Sequence, residues 1–242
     1  MTTRHRTCSF LLAGGLLLFS SCQRSKTGSF GTEVSIINKV PSIQARVAGK
    51  DRNGYALVLH NVSSRGIVSY SITESLDSSL AAVSHRRPLM PPGGTTTARI
   101  EPTTRKVVVA AALFTDGSHE GDSYAAAQLK SGQIGYEIQE GRVLPIIDRI
   151  IKAPAVNDEV RLAQIRDELS RLSNEPDESA IQIMQLQFTD VPAEVIRKDL
   201  TNALYSARVN LWSELYAYMH SSGESPPPDH PPPLTEWLRR RH

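Results

Sequence analysis

Between Ile36 and about Thr115, apolar and polar positions alternate at the two-residue period of strands. In "GYALVLHNVSS", Tyr55, Leu57 and Leu59 share one face and a polar run closes the segment. "GIVSYSITE" sets Val68, Tyr70 and Ile72 on one face against Ser69, Ser71 and Thr73 on the other. "TTTARIE" is short and β-branched, while "RKVVVAAALF" is apolar on both faces and predicts a central strand. Gly93-Gly94 after "PLMPP" predicts a reversal, because prolines cannot donate to a ladder and glycines tolerate sharp turns. No helical stripe interrupts these strands, which argues against crossover helices. A small antiparallel sandwich is the simplest way to bury them.

After Asp122 the period changes to that of helices. "SYAAAQLKSGQIGYEIQEGRVLPIIDRIIKA" spaces Ile134 and Ile138, then Ile146 and Ile150, by four; its glycines and Pro145 predict a break near 141–145. "NDEVRLAQIRDELSRLSN" carries a stripe of Leu162, Ile165, Leu169 and Leu172, with Asn157 as cap and Asp158 and Glu159 in the first turn. "DESAIQIMQLQF" aligns Ile181, Met184 and Phe188. The longest helix starts after Asp190 and Pro192 and lines up Ile196, Leu200, Leu204, Leu211 and Leu215, with Ala203 and Ala207 nearby. Single apolar stripes need a shared core, within the helices or against the sheet. The last 22 residues hold two proline triplets, "PPPDHPPP", which predict a polyproline-like or disordered tail holding "WLRRRH" away from the body.

The N-terminus narrows the compartment. Arg4 and Arg6 precede an apolar run of ten, Phe10 to Phe19, too short to span a bilayer and suited to a signal peptide. "LFSSC" resembles a bacterial lipoprotein signal, with Ser21 before Cys22 and Phe19 where leucine is usual. The resemblance implies cleavage, acylation of Cys22 and an outer-membrane destination in the cell envelope, with a periplasmic or secreted form as the alternative. Cys8 lies in the piece to be removed, so no cysteine is left for a disulfide or a thiol nucleophile. Without Arg4 and Arg6 the chain balances 25 basic against 25 acidic side chains. Residues 31–118 carry ten basic and six acidic, residues 119–220 ten and sixteen. Neither half is basic enough to suggest nucleic acid as a partner.

The stretches "LVLHNVSSRGIVSYSI", "PLMPPGGTTTARI" and "KVVVAAALFTDGSHEGD" resemble the immunoglobulin-like sandwich modules of exported bacterial proteins over about residues 33–125. The likeness implies a fold and no activity.

One stretch concentrates chemistry. "LFTDGSHEGD" sets three acids and a histidine within seven positions. As a calcium loop, Asp116, Ser118, Glu120 and Asp122 would occupy positions one, three, five and seven, but position twelve is Ala127 instead of a bidentate glutamate. His119 has no second histidine at zinc spacing. The plainer reading is a bend: Asp116-Gly117 turns, Asp122 caps the next helix, and His119 and Glu120 are solvated rim residues. The motifs G-x-S-x-G, G-x-x-x-x-G-K and H-E-x-x-H do not occur. Glu137 and Glu140 read as helix-surface charges. Tyr205, Trp212 and Tyr216 form one stripe, read as core before ligand platform.

The expectation is therefore an α+β chain: signal peptide 1–21, linker 22–32, Ig-like β-sandwich 33–118, helical domain 119–220 and proline-rich tail 221–242. Its role would be structural or interactive in the envelope, without catalysis or cofactor, with membrane lipid as a partner through the acyl anchor and an envelope protein as a further one. Two alternatives stand beside it. One is a hydrolase or metal-dependent enzyme using Asp116, Glu120 and Asp122; the other is a ligand- or partner-binding module using the helical domain and Tyr205, Trp212 and Tyr216.

Overall fold

The computed structural model describes residues 34–51, 54–74, 79–83, 88–154, 157–221 and 237–238. The signal segment, Cys22 and the proline triplets lie outside the described residues. Among the described residues, no helix is long and apolar enough to cross a membrane.

The alternating segments form eight strands: β1 (Ser35–Asn38), β2 (Ile43–Asp51), β3 (Gly54–Asn61), β4 (Ile67–Thr73), β5 (Ser79–Val83), β6 (Thr95–Ile100), β7 (Lys106–Phe114) and β8 (His119–Gly121). They make two sheets. One has the order β1-β7-β4-β5, with β8 also paired to β7; the other has the order β2-β3-β6. All pairs are antiparallel except β1 with β7. The expected turn at the glycine pair forms: the Gly94 amide donates to the Pro91 carbonyl at 2.7 Å, with Gly93 at φ 71°.

Tyr55, Leu57 and Leu59 point into the core between the sheets, as their alternation predicts. In β4 and β7 the alternation slips. The pairing runs Ile72↔Val109 and then Ser71↔Ala111, leaving Ala110 as an extra residue in β7. Val107 and Val109 before this bulge, and Ala112 and Phe114 after it, therefore all face the sheet core. Ala111 and Leu113 face the helices. Val68 is the extra residue of β4, between Ile67↔Phe114 and Ser69↔Leu113. It packs toward the helices while Ile67, Tyr70 and Ile72 fill the sheet core. The expected grouping of Val68 with Tyr70 and Ile72 is thus corrected by one bulge.

Among the described residues four long helices follow: α1 (Ser123–Lys152), α2 (Asp158–Ser170), α3 (Glu178–Gln187) and α4 (Ala193–Ser221). Asn157 caps α2 as expected, accepting from the Val160 amide at 3.0 Å. α1 runs unbroken with Pro145 inside it, against the expected break. Both Pro145 and Gly141, whose carbonyl loses its helical donor, face solvent, so the freed carbonyl is not left in an apolar environment.

The buried face of α1 also differs from the isoleucine stripe. It consists of Ala126, Ala127, Leu129, Ser131, Gly135, Gln139, Val143, Ile147 and Ile150, while Ile134, Ile138 and Ile146 are only half-buried. Small residues serve there because α4 comes close. A Cβ added to Gly135 would lie 2.6 Å from the Ala203 Cβ and 3.0 Å from α4 backbone.

The first turns of α1 meet Ile196 and Leu200 of α4, and its last turns meet Leu211 and Leu215, so the two helices run parallel. α2 and α3 run back alongside this pair: Arg149 pairs with Glu168 and Arg142 with Asp177. The helices share one core with the outer face of the larger sheet, through Ala111, Leu113, Ala180, Ile181, Met184 and Phe188. A third core lies beyond the sheet, where α1, α2 and α4 enclose Val143, Ile147, Leu162, Ile165, Leu169, Leu211 and Leu215. Trp237 and Leu238 are buried in it, at 5% and 7% exposure. The expectation that Trp237 is held away from the body is therefore overturned: a large aromatic side chain gains more by joining an apolar core than by facing water.

The contact at Gly135 is testable by a pair of variants. Gly135→Val should cost about 1–3 kcal/mol by overpacking. Gly141→Ala, where an added Cβ meets nothing within 4 Å, should gain about 0.5–1 kcal/mol from helix propensity. Urea denaturation of both variants checks the signs.

Candidate functional site

The corner singled out above is built from β7, a tight turn and β8. β7 ends at Phe114, and the turn Thr115–Ser118 brings His119 opposite Leu113 and Glu120 opposite Ala112. Asp116 holds the turn by accepting from the Ser118 amide at 3.0 Å. Gly117 sits at φ 81°. Gly121 has φ 97°, and a Cβ there would stand 2.2 Å from the Ala110 carbonyl oxygen, so only glycine fits. Asp122 then caps α1, accepting from the Ala125 amide at 3.1 Å. The turn and the cap are as the residue types predict.

Glu120 is not a solvated rim residue. Its side chain is 22% exposed and lies between the two sheets. One oxygen accepts from the Ser42 hydroxyl at 2.7 Å, the other from the Ser42 amide at 3.0 Å. The Arg65 guanidinium donates to the same carboxylate. Arg65 also donates to the Ser118 hydroxyl at 2.7 Å, and its guanidinium carbon stands over the Phe114 ring, 3.6 Å from its centroid. Its backbone is fixed in turn by Asn61, fully buried at the end of β3, which donates to the Arg65 carbonyl at 2.7 Å and the Met90 carbonyl at 3.1 Å. Ser42 immediately precedes β2 of the smaller sheet and Glu120 belongs to β8 of the larger one. The Asn61–Arg65–Glu120–Ser42 chain is therefore a clasp closing one end of the sandwich.

The three candidate carboxylates have different partners. Glu120 belongs to the clasp, Asp116 to its turn with Arg65 at 4.0 Å, and Asp122 to the helix cap and Lys39 at 3.0 Å. Burial pushes the Glu120 carboxyl up, but Ser42 and Arg65 outweigh it and hold it below the ordinary value. Ser118 lowers Asp116, and Lys39 with the Ala125 amide lowers Asp122. All three are thus held as charged acceptors already engaged, a poor state for a general acid. Among the described residues, no three His, Cys, Asp or Glu side chains are grouped to hold a metal ion. His119 packs its ring on Phe188, with centroids 4.9 Å apart.

Of the expected α4 stripe, Tyr205 and Tyr216 lie outside the core, contrary to expectation, while Trp212 packs against the distal helical core. Tyr205 is 53% and Tyr216 49% exposed, while Trp212 is half-buried with its ring 5.8 Å from that of Tyr216. Leu204 and Leu215, each one residue before a tyrosine, take the inner face, which turns Tyr205 and Tyr216 about 100° away from it. Val209 continues the exposed line, and Arg208 lies over the Tyr205 ring at 5.4 Å. A shallow, open depression on the first turns of α4 is lined by Glu194, Arg197, Lys198 and Thr201. No family model, curated protein or solved structure matches the chain.

The clasp makes two measurable demands. Glu120→Ala should cost about 1–3 kcal/mol at neutral pH, because Arg65 and Ser42 lose a charged acceptor. Because the folded state depresses the Glu120 carboxyl, its contribution is complete above the unfolded value of about 4.3 and fades as pH falls through the lower folded value. Wild-type Tm should therefore drop between pH 5 and pH 3 more steeply than that of Glu120→Gln, measured by thermal circular dichroism.

Proposed function

We propose that this chain is an exported envelope lipoprotein, anchored through acylated Cys22, that acts by binding a protein partner and not by catalysis. The anchor rests on the sequence "LFSSC" after the basic and apolar leader. The fold reading is an immunoglobulin-like sandwich carrying a helical arm. It is supported by the orders β8-β7-β4-β5 and β2-β3-β6, which correspond to the G-F-C and E-B-A neighbours of such sandwiches with an added edge strand. The corner carboxylates are engaged, Glu120 in the clasp, Asp116 in its turn and Asp122 in the helix cap, which disfavours the hydrolase and metal readings.

The observation that carries the binding role is the outer face of α4. Tyr205, Val209 and Tyr216 keep much of their area in water, and the half-buried Trp212 joins them at helical spacing. Tyrosine and tryptophan with an adjacent arginine are the side chains that anchor protein interfaces, since they bury large area with few rotatable bonds. This merges the envelope reading with the partner-module alternative.

Two experiments separate the parts. Cys22→Ser should abolish incorporation of labelled fatty acid and move the protein from the membrane to the soluble fraction. Unchanged labelling refutes the anchor alone. A photo-cross-linking residue at Val209 should give discrete adducts in intact cells, with none from the same residue at Lys50 on the smaller sheet. Equal yields at both positions refute the α4 face alone.

A further inference from the structure

The outer face of α4 lacks the charge of a helix built to face water. α2 carries six charged side chains in thirteen residues. Residues 201–218 of α4 carry two, Arg208 and Glu214. Arg208 turns toward the end of α2 and donates to the Leu172 carbonyl at 2.8 Å. Glu214 stands two residues from both Trp212 and Tyr216, and so about 160° round the helix from each. What the face presents is Tyr205, Ser206, Val209, Ser213 and Tyr216, all exposed, with Trp212 half-buried beside them. A face without charge does not repel its own image.

The spacing on this face is that of a seam between paired helices. Asn202, Tyr205, Val209, Trp212, Tyr216 and Met219 follow at intervals of three, four, three, four and three. That alternation keeps one stripe of a helix against a second helix. The series also reads the same from either end, about a point between Asn210 and Leu211. An antiparallel copy therefore sets Val209 opposite Trp212 and Tyr205 opposite Tyr216, each pair occurring twice. Small meets large at the centre, and tyrosine pairs close the ends. A parallel copy would instead stack Trp212 on Trp212 and leave Val209 across from Val209. Leu200, Leu204, Leu211 and Leu215 hold the inner side of α4 in the helical cores, so the seam can pair without opening the fold.

We propose that the occupant of the α4 face is a second copy of this chain, paired antiparallel along the seam from Asn202 to Met219 about a two-fold axis. This rests on the α4 face being the binding surface and names what binds there. Tyr205 and Tyr216 keep about half their area exposed, which is roughly 75–125 Å² for each ring still to be buried. With Val209, part of Trp212 and the flanking serines, the pair removes roughly 800 Å² from water, less than the roughly 1,200 Å² of a stable complex and within the range of transient ones. Such a dimer falls apart on dilution and forms where copies are crowded, as on a membrane that holds each by an acyl chain.

The test places a photo-cross-linking aromatic residue at Tyr205 of the full chain in intact cells, with the same residue at Lys50 as control. The adduct should have twice the mass of the chain. Mass spectrometry should place its junction in the turn of α4 around Tyr216 of the other copy. Val209→Glu, which puts a carboxylate against Trp212 in both halves of the seam, should lower the yield of this adduct at least roughly tenfold while the purified variant keeps its melt. Discrete adducts with a different protein or with lipid overturn the second copy and leave the α4 face standing as a binding surface. A yield no higher than at Lys50 removes the face itself. A doubled adduct joined at Tyr205 of both copies, or one that Val209→Glu leaves unchanged, overturns the antiparallel seam. Should Val209→Glu lose its cooperative melt, the position of the junction in the wild-type background decides.

Discussion

Burial of β7 on both faces and along both edges is the constraint on which the other elements depend. One face fills the core between the sheets and the other supports the helices. One edge is taken by β4. The other is divided between β1, which pairs with Lys106–Val109, and β8, which pairs with Ala111–Leu113. At the changeover the Lys39 amide donates to Val109 and the Asp122 amide to Ala110. Each buried Val, Leu or Phe of this strand contributes about 1.5–3 kcal/mol by leaving water. A strand in this position has no polar face to offer, and β7 has none. The Lys39–Asp122 ion pair at the changeover is exposed and adds little beside that burial.

Much of this was legible in the chain. The two-residue period, the doubly apolar "KVVVAAALF", the cap at Asn157 and the leucine stripes of α2 and α4 all correspond to elements that form. What escaped was whatever breaks a period without changing composition. A bulge at Val68 or Ala110 shifts every later side chain to the opposite face, and nothing in the residue types announces it. The α1 face toward α4 was hidden for a related reason. Close helix approach selects Ser131 and Gly135, which a search for hydrophobic spacing discards. Gln139 on the same face is fully buried with no hydrogen-bond partner for either side-chain polar atom among the described residues, and no pattern of hydrophobicity points to it.

The corner was legible as a turn and a cap, since Asp116-Gly117 and Asp122 act through neighbours in sequence. Its central ion pair was not. Arg65 stands 55 residues from Glu120, and Ser42 stands 78 away. Their meeting depends on which strands become neighbours, a tertiary fact. The tail was misjudged on similar grounds: proline triplets say nothing of where Trp237 goes once the helices have made an apolar surface. The α4 tyrosines show the converse error, in which helical spacing predicts a stripe correctly and leaves open which side of the helix it marks.

The parallel pairing of β1 with β7 has a mechanical consequence. Ser35, Ile36, Ile37 and Asn38 lie in register with Lys106 to Val109, and the two strands point the same way. Tension that draws the chain backwards from β1 while holding it by the helices beyond β7 slides the strands along each other. The evenly spaced bonds of a parallel ladder are then loaded together in shear, whereas a hairpin pulled from its open end unzips one bond at a time. A molecule tethered by its N-terminus and gripped at its helical end would therefore resist stretching at the strand nearest the tether, before the sandwich itself is strained.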